Sequence, residues 1–244
     1  MISQWFSETA LIAMLLIFIG SFVQTAIGFG LAIVAAPLLF LISPDYVPAP
    51  ICLVALFISI LNALKHRSSI ALGGLKMAMI GRIPGSIAGA ALLVYVSTQL
   101  LSLWLGILVL FAVTVSLLPF RVEPTARRMC VAGFFSGFFG TSSGIGGPPM
   151  ALLLQHQEAN QLRGNLSAFF VFSSLISLMM QIPVGFLNTH HLWITVPLIP
   201  AAYLGYKVAR VTTQSLPKNV IRMGALILCS LSGITAMWQG LSSI

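Results

Sequence analysis

The sequence predicts an all-α polytopic membrane protein made of two homologous halves in inverted repeat. Three observations lead to this prediction: an apolar composition with few charges, long charge-free segments, and a duplicated pattern of glycine and proline. Of the 244 residues, 58% are hydrophobic and only 7% are charged, whereas a soluble domain carries about 25% charged residues. This composition excludes a soluble enzyme, a disordered protein and a coiled coil, and it indicates several transmembrane helices.

The net charge of +8 does not indicate a nucleic-acid partner. The 12 Lys and Arg residues are scattered between apolar blocks, whereas the basic residues of a nucleic-acid-binding protein cluster on one surface. Scattered basic residues are typical of cytoplasmic loops, so we expect the lipid bilayer of the inner (cell) membrane as the surroundings. The three cysteines lie in apolar stretches without metal-ligand spacing, and no metal or other cofactor is expected.

The gaps between charged residues divide the chain into candidate spans. No Asp, Glu, Lys or Arg occurs in the segments 9–44, 46–64, 83–120, 129–157, 164–206 and 223–244. A helical span needs about 20 residues, so the second and the last of these segments each predict one span. Polar turns at 97–99 and 188–191 divide the two longest segments. The span before the first of these turns must begin near Leu72 and contain Lys76 and Arg82.

A repeat with an offset of 116 residues divides the chain into two halves. Three elements align at this offset: 25–30 (TAIGFG) with 141–146 (TSSGIG), Pro84 with Pro200, and Gly89 with Gly205. The first half, 1–124, is expected to hold the glycine-broken segment 9–44 and three transmembrane helices. The second half, 125–244, is expected to hold the glycine-broken segment 129–157 and three transmembrane helices.

Basic residues change places between equivalent loops of the two halves. The basic run 65–67 has the uncharged counterpart 181–183, whereas the uncharged turn 97–99 has a basic counterpart within 207–218. Under the positive-inside rule, the halves then face opposite ways across the membrane. This arrangement needs each glycine-broken segment to begin and end on the same side, either as a re-entrant hairpin or as two short spans. A parallel duplication with four true spans per half is the alternative.

The two glycine-broken segments are the predicted binding site. Gly28 and Gly30 interrupt the first segment, and Gly144 and Gly146, followed by two prolines, interrupt the second, because glycine and proline disfavour a continuous helix. Broken backbone at membrane depth must be buried in protein or line an aqueous cavity. Each break also creates a helix N-terminus, which favours an anion. Such breaks at equivalent places in inverted halves indicate a transporter site, and close packing through small residues is the alternative.

Polar residues near the breaks and within the spans complete the predicted site. Arg82 lies deep in its span and no Asp or Glu lies at similar depth, which favours an anionic over a cationic substrate. Snorkelling of Arg82 to the interface is an equal alternative. Gln181 and Asn62 either line a path or form interhelical hydrogen bonds. The predicted substrate-binding residues are Gln24, Thr25, Gly28, Gly30, Asn62, Arg82, Thr141, Ser142, Ser143, Gly144, Gly146 and Gln181.

These patterns resemble the sulfite exporter TauE/SafE family, also called the 4-toluene sulfonate uptake permease family. The likeness rests on the run 28–30 followed by Pro37, on the run 144–149, and on the proline and glycines of 84–89. Residues 31–32 depart from the family pattern, which often has glycine there. The resemblance implies export or uptake of sulfur-containing anions such as sulfite or organosulfonates, whereas the residues themselves indicate only an anion.

Secondary transport of a small anion is therefore the predicted function, and no ATP-binding motif is present. A membrane scaffold or maturation factor without transport is the alternative, and a channel would differ from a transporter only in rate. An intramembrane serine hydrolase is a weaker alternative, because 140–144 matches G-x-S-x-G but no strand precedes it and the nearest histidine, His156, lies at the far end of the segment. A homodimer is a possible assembly, but the sequence does not decide it, because every helix face is apolar.

Overall fold

Helices form the secondary structure of the described part of the chain. The computed structural model describes residues 7–117, 122–212 and 218–242, and no strand occurs within these ranges. The α-helices of the described ranges are α1 (Glu8–Ile27), α2 (Leu31–Ile42), α3 (Ala49–Lys65), α4 (Lys76–Tyr95), α5 (Thr98–Leu117), α6 (Ala126–Ser143), α7 (Gly147–Leu154), α8 (Ala159–Gln181), α9 (Thr189–Thr195), α10 (Leu198–Thr212) and α11 (Lys218–Ser242). The predicted all-α class is confirmed.

Several of these helices have the length and composition of membrane spans. Within the described ranges, four segments meet that criterion: Glu8–Ile27, Pro44–Lys65, Leu72–Tyr95 and Ala159–Gln181. The pair α9 and α10, bent by 42°, meets it when taken as one span, whereas α2 and the apolar parts of α5 and α11 are shorter. The span that begins at Leu72 contains Lys76 and Arg82, as the charge pattern predicts. The chain is a multi-pass membrane protein.

Glycines in the left-handed region separate the two helices of each glycine-rich segment. Between α1 and α2, Gly28 and Gly30 adopt φ values of 98° and 116°, and after α6 Gly144 adopts a φ of 81°. An L side chain would be strained in this region, whereas glycine enters it readily. α7 begins at Gly147 with Pro148 in its first turn, where the missing N–H costs no intrahelical hydrogen bond.

The second helix of each pair turns back along the first. A methyl group placed on Gly20 would lie 2.9 Å from the carbonyl oxygen of Leu31, so α2 begins beside the second half of α1. In the same way, a methyl group on Gly146 would lie 2.8 Å from the carbonyl oxygen of Ser136, which belongs to α6. Each pair is therefore a helical hairpin whose tip contains the left-handed glycines.

α4 and α6 approach each other with backbone in contact. A methyl group on Gly81 or Gly85 would lie 2.0 Å from the carbonyl oxygens of Cys130 and Phe134, respectively. Residue numbers increase together along this contact, so α4 and α6 run parallel. Lipid-exposed helices gain little from hydrophobic burial, and small residues at such a contact allow the van der Waals packing that holds them together.

The helices of the two predicted halves interlock. α4 packs mainly on α6, and α1 packs mainly on α10, so each of these contacts joins one half to the other. α5 and α11, which occupy equivalent places in the two predicted halves, lie side by side. A methyl group on Gly240 would contact Leu103, and one on Gly233 would contact Val109, so these two helices run antiparallel.

α3 and α8 occupy equivalent places in the predicted repeat, and they also run antiparallel. Cys52, near the start of α3, accepts a contact of 3.7 Å from the side-chain amide of Gln181, the last residue of α8. At the opposite end, His66 directly follows α3 and packs against Gly164, near the start of α8. The two helices therefore face each other along their whole length.

Charged side chains gather at the two ends of the bundle. At the end named here the basic end, Lys65 lies within electrostatic reach of Arg163 and Arg210. At the opposite end, the carboxylate of Asp45 lies 3.3 Å from Nε2 of His190. The predicted basic loop within 207–218 is described only in part, because 213–217 lie outside the described residues.

Candidate functional site

A small cavity lined mostly by buried residues lies where both helix breaks approach α3, α4 and α8. Its volume is about 40 Å³, which is room for a few water-sized groups. Five of the predicted site residues line it, namely Gln24, Gly30, Arg82, Gly144 and Gly146. The fold therefore brings both glycine breaks and the one deeply placed arginine of α4 to a single point.

The guanidinium of Arg82 is buried at this cavity, with 1% of the residue exposed. Nη1 donates to the hydroxyl of Ser136 at 2.9 Å and to the carbonyl of the same residue. Nη2 donates to the hydroxyl of Ser177 at 2.7 Å and to the carbonyl of Ser173 at 3.2 Å. All of these acceptors are neutral, and Nε has no hydrogen-bond partner among the described residues. Burial excludes the alternative that Arg82 snorkels to the interface.

No carboxylate side chain neutralises the charge of Arg82. The acidic residues of the chain are Glu8, Asp45, Glu123 and Glu158, all four lie in the described ranges, and none of them lines the cavity. Removing one charge from water costs several kcal/mol unless an opposite charge compensates it, and hydrogen bonds to neutral groups offset only part of that cost. The cavity therefore has the electrostatic character of an anion site.

Two glycines make room for the guanidinium. A methyl group on Gly140 would lie 2.7 Å from Nη2 of Arg82, and one on Gly146 would lie 2.9 Å from Nη1. Gly146 has an ordinary φ of −87°, so space and not backbone conformation explains why glycine is needed there. The glycines of the second break thus serve two different purposes, since Gly144 supplies the left-handed turn.

Thr141 and Gln181 support the site from behind the cavity. The hydroxyl of Thr141 lies 2.9 Å from that of Ser177, which accepts a hydrogen bond from Arg82. The side-chain amide of Gln181 donates to the carbonyl of Thr141 at 2.9 Å, and its Oε1 has no partner among the described residues. Thr141 therefore positions Ser177, which binds Arg82, and Gln181 positions Thr141. Neither Thr141 nor Gln181 lines the cavity.

Thr25 and Asn62 join helices instead of lining the cavity. Nδ2 of Asn62, on α3, donates to the hydroxyl of Thr25, on α1, at 3.3 Å. One turn along the same interface, Gln24 donates from Nε2 to the hydroxyl of Ser59 at 3.1 Å, and Gln24 also lines the cavity. Asn62 therefore forms an interhelical hydrogen bond, which is the alternative interpretation of this residue.

Ser142, Ser143 and Gly28 lie outside the cavity lining. The hydroxyl of Ser142 donates to the carbonyl of Phe138 at 2.7 Å, and that of Ser143 donates to the carbonyl of Phe139 at 2.6 Å, so both turn back to their own helix. Gly28 packs against Arg163 at the basic end. The hydroxyl of Ser142 also contacts the carbonyl of Phe139 at 3.4 Å and accepts from the indole N–H of Trp104 at 3.2 Å, and no histidine is among its partners in the described part of the chain.

Sequence reasoning missed the serines that hold the arginine. Ser173, Ser174 and Ser177 lie on one face of α8 and line the cavity, and Ser136 faces them from α6. The signal was available as a stripe of serines one turn apart in an apolar span, since residues four apart share a helix face. Cys52 also lines the cavity from α3.

A larger cavity, named here the vestibule, leads from the basic end to the small cavity. Its volume is about 400 Å³, and Gln155, Gln157 and Arg163 line it together with mostly apolar side chains. Phe29, Gly30 and Ile33 line both the vestibule and the small cavity. Within the described residues, no group of three His, Cys, Asp or Glu side chains could hold a metal ion.

Comparison with known proteins identifies the family. A family model described as "Sulfite exporter TauE/SafE" matches residues 13–236, nearly the whole chain. The chain belongs to the sulfite exporter TauE/SafE family. Members of this family are membrane transporters of small anions and not enzymes, which excludes the serine hydrolase alternative. The chain matches no curated protein and no solved structure.

Proposed function

We propose that this member of the TauE/SafE family is a secondary transporter that binds a small sulfur oxyanion, such as sulfite, in the cavity beside Arg82. One observation carries the proposal: a buried guanidinium without a carboxylate side chain beside it lines a cavity at the meeting of two helix breaks. An oxyanion would supply the missing negative charge. Charge-assisted hydrogen bonds from a guanidinium to an oxyanion are short and about twice as strong as neutral ones.

The helix breaks add to the anion preference of the cavity. Gly30 and Gly146 are the N-cap residues of α2 and α7, and both line the cavity. N-terminal N–H groups lack partners within their helix, and the positive end of the helix dipole lies beside them. The cavity volume of about 40 Å³ suits an anion of a few heavy atoms. Organosulfonates need more space than this cavity offers.

We further infer that the two halves form an inverted repeat in the inner (cell) membrane, with the basic end on the cytoplasmic side. The antiparallel pairs α5 with α11 and α3 with α8 support this inference, because a parallel duplication would make equivalent helices run in the same direction. The positive-inside rule assigns the basic end to the cytoplasm.

Cysteine accessibility in cells tests this orientation. In a cysteine-free variant, Ser68→Cys and Pro183→Cys place reporters in equivalent exposed loops of the two halves. An impermeant thiol reagent applied from outside should label position 183 and should label position 68 only after permeabilisation. Labelling of both positions from one side would contradict the inverted repeat.

A homodimer stays a prediction.

Counterflow in proteoliposomes tests transport itself. Vesicles loaded with unlabelled sulfite should accumulate labelled sulfite from outside, in a saturable manner that other sulfur oxyanions compete away. Protein-free vesicles are the control. Absence of flux with every sulfur oxyanion, from protein shown to be folded, would refute the proposal and would favour a scaffold or maturation role.

A further inference from the structure

We propose that Phe29 closes the Arg82 cavity toward the vestibule and thereby limits the cavity to small anions. This inference rests on the proposed anion site for its consequence in transport, and on geometry alone for the closure. Gly28 and Gly30 of the first helix break are explained by the turn, whereas the aromatic side chain of Phe29 has no role in the turn or in the contacts of Arg82. It lies between the two left-handed glycines of the α1–α2 turn.

The position of Phe29 between the two cavities is the first argument. Phe29, Gly30 and Ile33 line both spaces, which have volumes of about 40 and 400 Å³. Gly30 has no side chain, and Ile33 belongs to α2. A methyl group on Gly147, at the start of α7, would lie 3.4 Å from Cβ of Phe29 and 3.6 Å from the ring of Phe170. The aromatic side chain therefore lies at the junction of the two helix breaks.

The freedom of Phe29 to move is the second argument. Its side chain is only half-buried, and a phenyl ring forms no hydrogen bond that would have to break. Loops of this kind between packed helices have low local stability and can therefore open without unfolding of the helices. The repeat counterpart, Ile145, is 2% exposed and lines neither cavity. Only the first of the two breaks therefore carries a side chain placed to open or close a path.

The contrast in size and polarity between the cavities is the third argument. The Arg82 cavity holds only a few atoms, whereas the vestibule is lined mostly by apolar side chains and carries Arg163 toward the basic end. Loss of the Phe29 ring would join the two spaces. An organic sulfonate could then place its charged head at Arg82 and its apolar body in the vestibule, which the wild-type ring prevents.

Two native cysteines report on the two cavities. Cys52 lines the Arg82 cavity, and Cys229 lines the vestibule. Two single-cysteine proteins follow: Cys130→Ala with Cys229→Ala leaves Cys52, and Cys52→Ala with Cys130→Ala leaves Cys229. Methyl methanethiosulfonate, a small neutral thiol reagent, would be used without sulfite and followed by mass spectrometry. The test variant is Phe29→Ala, and the matched control is Ile145→Ala in the equivalent position of the other half.

Both thiols are buried, with 4% of Cys52 and 4% of Cys229 exposed, so the expected result in the wild-type background is slow reaction of both. Phe29→Ala should raise the rate at Cys52 by about tenfold or more, which corresponds to an opening easier by about 1.4 kcal/mol, and Ile145→Ala should leave that rate unchanged. Phe29→Leu, which keeps a bulky apolar group, should give a reaction rate at Cys52 between those of the wild type and Phe29→Ala. No gain at Cys52 in folded Phe29→Ala, or an equal gain at Cys52 in Phe29→Ala and Ile145→Ala, would overturn the proposal.

Transport assays separate failure of this inference from failure of the proposed function. In counterflow, 4-toluenesulfonate should compete with sulfite in Phe29→Ala and not in wild type. If wild type shows no anion flux but the labelling pattern holds, the proposed cargo fails and the closure by Phe29 stands. If sulfite flux is normal and 4-toluenesulfonate competes equally in both proteins, the size limit imposed by Phe29 is refuted.

Discussion

Replacement of Arg82 by glutamine tests whether its buried charge binds the anion. The glutamine side chain would keep a hydrogen-bond donor near Ser136 or Ser177 and would lose the charge. An anion about 4 Å from the guanidinium gains about 4 kcal/mol at an effective dielectric constant of about 20. Loss of that energy corresponds to a roughly 1,000-fold weaker affinity. We therefore expect Arg82→Gln to abolish binding at concentrations that saturate the wild type.

Thermal unfolding with and without sulfite measures this loss. At a sulfite concentration of about 100 times the wild-type Kd, binding stabilises the native state by about 2.7 kcal/mol, whereas a protein with a roughly 1,000-fold higher Kd gains less than about 0.1 kcal/mol. Without sulfite, the variant should unfold near the wild-type temperature, because removal of an unpaired buried charge offsets the lost hydrogen bonds to serines.

The control for this experiment is Arg67→Gln, which removes one positive charge at an exposed position of the basic end. It should keep the full response to sulfite, because exposed charges are screened by salt. If Arg82→Gln is folded and is stabilised by sulfite as much as the wild type, the substrate role of Arg82 is refuted. If both variants lose the response, the anion is recognised by the general positive charge of this end and not by the cavity.

Three further predictions concern single positions. Gly140→Ala should weaken anion binding and lower the unfolding temperature, because the added methyl group would lie 2.7 Å from Nη2 of Arg82; Gly224→Ala, where a methyl group meets nothing within 4 Å, should be neutral or stabilising by up to about 1 kcal/mol. The pKa of His66 is lowered by burial and by three neighbouring cationic side chains, so the unfolded chain binds the proton first as pH falls, and native stability should decrease from about pH 7 to pH 5. His66→Gln should flatten that pH dependence of the unfolding temperature, and an unchanged slope would contradict the assignment. Ser142→Ala should keep counterflow activity, because the hydroxyl bonds to its own helix; complete loss of flux in a folded variant would contradict this.

The sequence indicated where the two glycine-rich segments are interrupted and marked Arg82 as an unusual residue, but it left snorkelling of Arg82 as an equal alternative to burial. A pair of glycines in an apolar run has few explanations other than a turn, and a lone arginine among apolar residues cannot be satisfied by lipid. Both features are present in the folded structure, where one cavity is lined by Gly30, Gly144, Gly146 and Arg82. Helix ends were also predictable where polar turns separate apolar runs, as after Tyr95.

The polar neighbours of the breaks were harder to place, because proximity in sequence does not fix the direction of a side chain in a helix. Ser142 and Ser143 follow Thr141 directly, yet their hydroxyls bond to carbonyls one turn earlier, as serine often does in a helix. The serines of α8 were missed for the opposite reason. Ser173 and Ser177 lie far along the chain from either break, and only the packing of α8 against α4 and α6 brings them to Arg82.

The interlocked helix pairs have a consequence for biosynthesis. α1 packs mainly on α10, and α4 packs mainly on α6. During synthesis, α1 therefore inserts long before the ribosome has made α10. Until then, the first half lies in the bilayer without its native helix contacts. Neither half is expected to fold when expressed alone. If the proposed inverted repeat holds, co-expression of the fragments 1–124 and 125–244 should restore the protein only when both enter the same membrane in opposite orientations. A gene split at the predicted repeat boundary would therefore measure assembly directly.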